Sequence, residues 1–161
     1  MSPVADQALT LAVADFLYLE AELIDTKRLD EWVALWNDDA LYWIPQGDDP
    51  DPSQTVSIVY DDHRRLVERV LRLNSGFAYS QDPPSRTTHL VGNVRVAGEA
   101  DGRIQVTSSL VVAEMRRSTQ NLYAGRVEHE LTQDGDGFKI SRKVVRLVNS
   151  DVPLGNVTFL I

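Results

Sequence analysis

The sequence predicts an α+β fold in which about three N-terminal helices pack on a strongly curved antiparallel sheet. Apolar residues recur at helical spacing in the first half, whereas the second half alternates over long stretches that are divided by turn residues. The change falls at Asp82–Val96, DPPSRTTHLVGNVRV, a proline-containing loop that runs into a strand. Because no linker or internal repeat interrupts the chain, we expect residues 1–161 to form one domain.

The first half favours three helices and two short strands. Apolar spacing predicts an amphipathic helix over Val4–Thr26, whose polar face is expected to carry the acidic residues Asp15, Glu20, Glu22 and Asp25. Further along, we expect a short helix over Leu29–Trp36, a turn at Asn37–Asp39, and strands over Ala40–Pro45 and Thr55–Tyr60. Asp61 or Asp62 is expected to cap a third helix, which ends at Asn74–Gly76.

The second half predicts four long strands joined by tight turns. The first begins at Thr87, with Thr88, Leu90, Val94 and Val96 on one face and His89, Val91, Asn93 and Arg95 on the other, and Gly92 predicts a bulge or a close backbone approach. The next three strands are expected over Arg103–Arg117, Gln120–Thr132 and Phe138–Asn149. The Asp-Gly pairs of Gln133–Gly137 favour a hairpin before the last strand, so the four strands form an antiparallel meander.

Several exposed rows are candidates for contacts with another subunit. One helix face carries Arg65, Arg69 and Arg72, which is either a solvated face or a partner surface. The strand row Arg126, Glu128 and Glu130 is either an outer face in solvent or an intersubunit contact, and His89 and Arg95 are interpreted as assembly residues. The apolar tail Phe159, Leu160 and Ile161 needs burial, either within the sheet or at a neighbouring subunit.

Composition excludes several classes of function. The formal net charge of −8 gives no global support for binding a phosphate backbone, so no nucleic acid partner is expected. The absence of cysteine excludes a disulfide framework, a thiol nucleophile and a Cys-ligated iron–sulfur cluster within this chain. No run reaches the roughly 18 apolar residues of a membrane span, and no signal peptide is evident, so we expect no membrane contact and a cytoplasmic location.

Local motifs identify no catalytic or metal site. His63, His89 and His129 lie on three different predicted elements, so a two-histidine, one-carboxylate iron site is not expected. A curved sheet over helices would enclose a cone-shaped apolar pocket, in which acid–base chemistry needs only a few polar side chains. The candidates for a free-standing isomerase or dehydratase are His89, Asp61, His63, Tyr60 and Tyr123, and a small-ligand-binding protein is a further alternative.

Four segments carry a resemblance to a known family. Phe16–Pro45, Ile58–Leu73, Asp82–Val96 and Pro153–Ile161 together resemble, in the same order, the beta (small) subunit of aromatic-ring-hydroxylating dioxygenases, which are Rieske non-heme iron oxygenases. The resemblance covers nearly the whole chain. The sequence differs in beginning close to its first helix, without the longer N-terminal arm of some members.

The resemblance implies a cone-shaped fold like that of nuclear transport factor and ketosteroid isomerase. It also implies assembly with a larger alpha subunit, usually as three alpha with three beta. In that family the alpha subunit holds a [2Fe–2S] Rieske cluster and a mononuclear iron, and electrons come from NADH through a reductase and often a ferredoxin. The beta subunit is chiefly structural, so no catalytic, cofactor or metal residue is transferred to this chain.

Overall fold

A computed structural model describes residues 3–47, 51, 53, 56–75, 84–148 and 160–161. Its helices are α1 (Pro3–Asp25), α2 (Leu29–Val33) and α3 (His63–Ser75). Its strands are β1 (Trp36–Pro45), β2 (Ser57–Asp62), β3 (Arg86–Ala100), β4 (Arg103–Arg116), β5 (Thr119–Asp134) and β6 (Gly137–Leu147). Helices on one side of a curved sheet confirm the α+β prediction.

The six strands form one sheet in the order β2-β1-β6-β5-β4-β3. Strands β3 to β6 are the expected antiparallel meander, and β1 adds to its edge by running parallel to β6. Asp101 and Gly102 both have positive φ angles, 54° and 74°, and make the tight turn between β3 and β4. The parallel pair was not predicted, because it joins strands that are distant in the sequence.

The second helix is shorter than its sequence pattern predicted. It ends at Val33, and Trp36 begins strand β1 opposite Ile140 of β6. The rings of Trp32 and Trp36 still meet edge to face at 5.6 Å, but from a helix and a strand. Pairing with β6 therefore overrides the local helical spacing, and the predicted turn at Asn37–Asp39 lies within an irregular part of β1.

The core lies between the inner face of the sheet and helices α1, α2 and α3. Asp62 accepts a hydrogen bond from the backbone N–H of Arg65 at 2.9 Å, which confirms it as the cap of α3. A change of register after Gly92 confirms the predicted bulge in β3. The bulge reverses the strand faces, so Leu90 points outward whereas Val94 and Val96 pack against the core.

Candidate functional site

The polar groups inside the fold belong to a cluster that we call the inner polar layer: Glu20, Trp32, Tyr42, His129, Lys143 and Ile161. Its centre is Glu20, which lies on the inward face of α1 among Phe16, Leu17 and Ile24. Glu20 is 3% exposed, so it is not part of the acidic outer face that the sequence predicted. A carboxylate at this depth requires partners that the sheet must supply.

Three side chains donate hydrogen bonds to Glu20. His129 Nε2 lies 3.0 Å from Oε1, while Lys143 Nζ and Trp32 Nε1 lie 2.8 and 3.0 Å from Oε2. Burial opposes ionisation, but the charge of Lys143 and the bonds from His129 and Lys143 hold the pKa of Glu20 well below its ordinary value. Burial lowers the pKa of His129, although the hydrogen bond and the charge of Glu20 act to raise it. The net lowering of the pKa favours a neutral imidazole.

The end of the described chain completes the layer. Lys143 Nζ donates to the backbone oxygen of Ile161 at 2.9 Å, and the Tyr42 hydroxyl donates to the same oxygen at 2.8 Å. The Tyr42 oxygen in turn lies 3.1 Å from the Ile161 nitrogen, which donates to it. Leu160 and Ile161 are buried in this chain's own core, which is the first of the two burial places expected for the tail, while Phe159 lies outside the described residues.

A second pair lies at the end of α1. Asp25 Oδ1 is 2.5 Å from His89 Nδ1 and accepts a hydrogen bond from Thr87 Oγ1, and Asp25 Oδ2 accepts one from the His89 backbone N–H at 2.8 Å. Burial raises the pKa of Asp25, but these bonds from His89 and Thr87 outweigh it and lower the pKa overall. His89 is therefore turned toward the core and hydrogen-bonded within the chain, and its role in assembly stays a prediction.

A small cavity lies between these two His–carboxylate pairs. It is lined by Leu17, Glu20, Ala21, Ile24, His89, Val91, Ser108, Leu110, Val127, His129 and Lys143. The volume of this cavity is only about 20 Å³, whereas small-molecule pockets measure about 300–1,000 Å³. This cavity therefore cannot hold a substrate-sized molecule.

The candidate catalytic residues do not converge. Asp61 pairs with Arg69 at 2.6 Å, Tyr60 packs against Trp43 with ring centres 6.2 Å apart, and His63 begins α3. Tyr123 is buried on β5, and of the five candidates only His89 lines the cavity. Within the part of the chain that the structure describes, no group of three His, Asp or Glu side chains is placed to hold a metal ion.

The predicted surface residues have several different environments. Arg126 and Arg95 are exposed on the outer face of the sheet, where Glu128 pairs with Arg146 at 3.3 Å and Glu130 accepts from Gln105. On α3, Arg65 and Arg72 are exposed, whereas Arg69 is bound to Asp61. None of the described helices is long and apolar enough to cross a membrane.

Sequence reasoning missed Glu20 and Lys143, although one signal was available. Glu20 falls at i+4 from Phe16 and i−4 from Ile24, in the middle of the apolar stripe of α1. A carboxylate in that position requires a buried cation or donor. Nothing in the sequence indicates that Lys143 supplies it.

Comparison with known proteins gives consistent results. The family profile described as ring hydroxylating beta subunit matches residues 19–153. The small oxygenase component of a p-cumate 2,3-dioxygenase system from Pseudomonas putida is 37% identical over 81% of this chain and 74% of its own length. The small subunit of anthranilate 1,2-dioxygenase from Acinetobacter baylyi is 35% identical over 89% of this chain and 92% of its own length. A crystal structure of the beta subunit of benzoate 1,2-dioxygenase from Burkholderia mallei superposes with a TM-score of 0.76, at 28% identity, and covers 92% of this chain and 95% of that one.

Proposed function

Because the chain belongs to the ring-hydroxylating beta subunit family, we propose that it is the structural small subunit of an aromatic-ring-hydroxylating dioxygenase. It assembles with a larger alpha subunit, three alpha with three beta. The alpha subunit carries the [2Fe–2S] Rieske cluster and the mononuclear iron, and it receives electrons from NADH through a reductase and a ferredoxin. The complex works in the cytoplasm and adds O₂ to an aromatic ring as a cis-dihydrodiol. The match over residues 19–153 is the observation that carries this proposal.

The interior of the cone supports a structural role. An isomerase or dehydratase would need acid–base side chains beside its substrate, and the cavity of about 20 Å³ that His89 and His129 line is far too small for one. The two histidines beside that cavity are already bound to Asp25 and Glu20. The buried polar groups thus hold α1 on the sheet rather than facing a substrate-sized pocket.

We place the alpha subunit on the outer face of the sheet. Strand register puts Leu90, Val111 and Ala124 in one row across β3, β4 and β5, and Leu122 lies in the next row. Leu90 is 68% exposed and Leu122 is 64% exposed, so together they form an apolar patch in contact with solvent. We call this the outer sheet patch.

Basic residues border the outer sheet patch on a chain whose net charge is −8. Arg126 lies in the row beside Ala124, and Arg95 lies opposite Thr107 one row further along. An apolar centre beside exposed guanidinium groups fits a partner surface whose apolar centre is bordered by carboxylates. Arg95, Arg126 and Glu128 are the predicted contact residues that this docking would use.

Copurification tests the function and the surface separately. The tagged chain is expressed together with the products of its neighbouring genes, and the complex is measured by iron content and by ring dihydroxylation. Wild type is expected to recover the large subunit, and a stable chain that recovers none would refute the proposed function. Arg126→Glu is expected to reduce recovery at least tenfold, whereas Arg72→Glu, an exposed arginine on α3, leaves it unchanged. Equal recovery with both variants would refute the docking surface alone.

A further inference from the structure

Two buried ring nitrogens beside the cavity have no hydrogen-bond partner among the described residues. They are His89 Nε2 and His129 Nδ1, in side chains that are 2% and 4% exposed. Each ring uses its other nitrogen, His89 toward Asp25 and His129 toward Glu20. A buried polar atom without a partner costs free energy, so both nitrogens require an explanation.

Both histidines line the same cavity, which is also lined by Ser108. The cavity offers about 20 Å³ to the centre of a water-sized sphere. One water molecule occupies a sphere of about 10–15 Å³, so the cavity has room for at least one, and a bound water needs two to four polar partners. Two ring nitrogens and the Ser108 hydroxyl supply three such partners, which suits one water molecule that bridges the two rings.

We infer that this cavity is a binding site for one structural water molecule, which bridges His89 Nε2 and His129 Nδ1. The carboxylates of Asp25 and Glu20 accept the N–H of each ring, and in the tautomers with hydrogen on those nitrogens alone the remaining ring nitrogens are both acceptors. The water donates one hydrogen to each nitrogen and accepts from the Ser108 hydroxyl. It joins the Asp25–His89 pair to the inner polar layer, and this inference does not depend on the proposed function.

Nuclear magnetic resonance of the full-length chain tests the site directly. Water is expected to give rotating-frame cross-peaks to the Cε1–H of both rings and to the Cδ2–H of His89, because these hydrogens flank the two acceptor nitrogens. Oxygen-17 relaxation dispersion counts the long-lived waters independently. Nitrogen-15 spectra are expected to place the ring hydrogen on Nδ1 of His89 and on Nε2 of His129.

A matched pair of variants on α1 gives the control. Ala21→Val adds two carbons to the cavity wall, and Ala8→Val makes the same change at an exposed position of the same helix. Ala21→Val is expected to lose the cross-peaks and one long-lived water, and Ala8→Val to keep both. Folded wild-type protein with resolved ring signals but no water cross-peak would show a dry cavity and overturn the inference, even if Ala21→Val did not fold.

Discussion

Loss of the Glu20 charge is expected to destabilise the chain by about 3–5 kcal/mol, because it leaves the buried Lys143 ammonium without its counter-charge. Both side chains are about 95% buried and their charged atoms are 2.8 Å apart. In Glu20→Gln the Ile161 oxygen is still an acceptor for Lys143, so the expected loss is near the lower end of that range. A domain of this size has roughly 5–15 kcal/mol of stability in total, so the change is large.

The measurement is urea unfolding of the full-length chain, followed by tryptophan fluorescence. Glu68→Gln is the matched control, since Glu68 meets Arg64 at 2.7 Å on the surface of α3. That exposed pair is expected to contribute only about 0.3–0.5 kcal/mol. Lys143→Met combined with Glu20→Gln is expected to cost at least about 2 kcal/mol less than the sum of the two single changes. Equal losses for Glu20→Gln and Glu68→Gln, or strict additivity with Lys143→Met, would refute the electrostatic argument.

Ile161→Ala is expected to cost about 2–5 kcal/mol in the same unfolding assay, since it opens a cavity at a fully buried position; a loss below about 1 kcal/mol would mean that the end of the chain is not packed in the core. Gly125→Ala is expected to lower the free energy of unfolding by about 1–3 kcal/mol, because its new carbon would lie 2.9 Å from the Cα of Leu147. Gly98→Ala is the control, since its new carbon meets nothing within 4 Å and is expected to change the free energy of unfolding by less than about 0.5 kcal/mol. The free energy of unfolding is expected to decrease in two stages as the pH is lowered. The first stage lies below the ordinary His pKa of 6.5. There His129 binds a proton in the unfolded chain but not in the folded one, because burial lowers its pKa beside Glu20 and Lys143. The second lies below about 4.5, because Glu20 is protonated in the unfolded chain while its pKa in the folded state is depressed. His129→Gln is expected to remove only the first stage, and an unfolding free energy that is constant from pH 7 to 5 would contradict the first expectation.

Local patterns were sufficient for most of the fold. Alternation correctly placed Arg126 on the outer face of β5, and Asp62 and Gly92 marked a helix cap and a bulge. Trp36 was wrongly placed in a helix, since its spacing from Trp32 is helical and its pairing with Ile140 is invisible in the sequence. Local spacing decides an element only where no distant strand competes for it.

The inner polar layer could not be predicted from the sequence, for a related reason. His129 and Lys143 are 109 and 123 residues from Glu20, and one sequence contains no information about which distant charge will neutralise a buried carboxylate. The inward position of His89 was missed for the same reason, because a histidine that alternates with apolar residues looks solvent-exposed until its partner Asp25 is known. The family resemblance could be recognised without knowledge of these contacts, because it rests on four segments of the sequence.

The Ile161 contacts have a consequence for the order of folding. Tyr42 and Ile161 are 119 residues apart, and Lys143 lies between them in the sequence. Contacts that close such long loops carry a large entropic cost, so they form late. Until Ile161 is in place, Lys143 has one fewer acceptor. The contacts of Ile161 therefore complete the inner polar layer only after the more local contacts have formed.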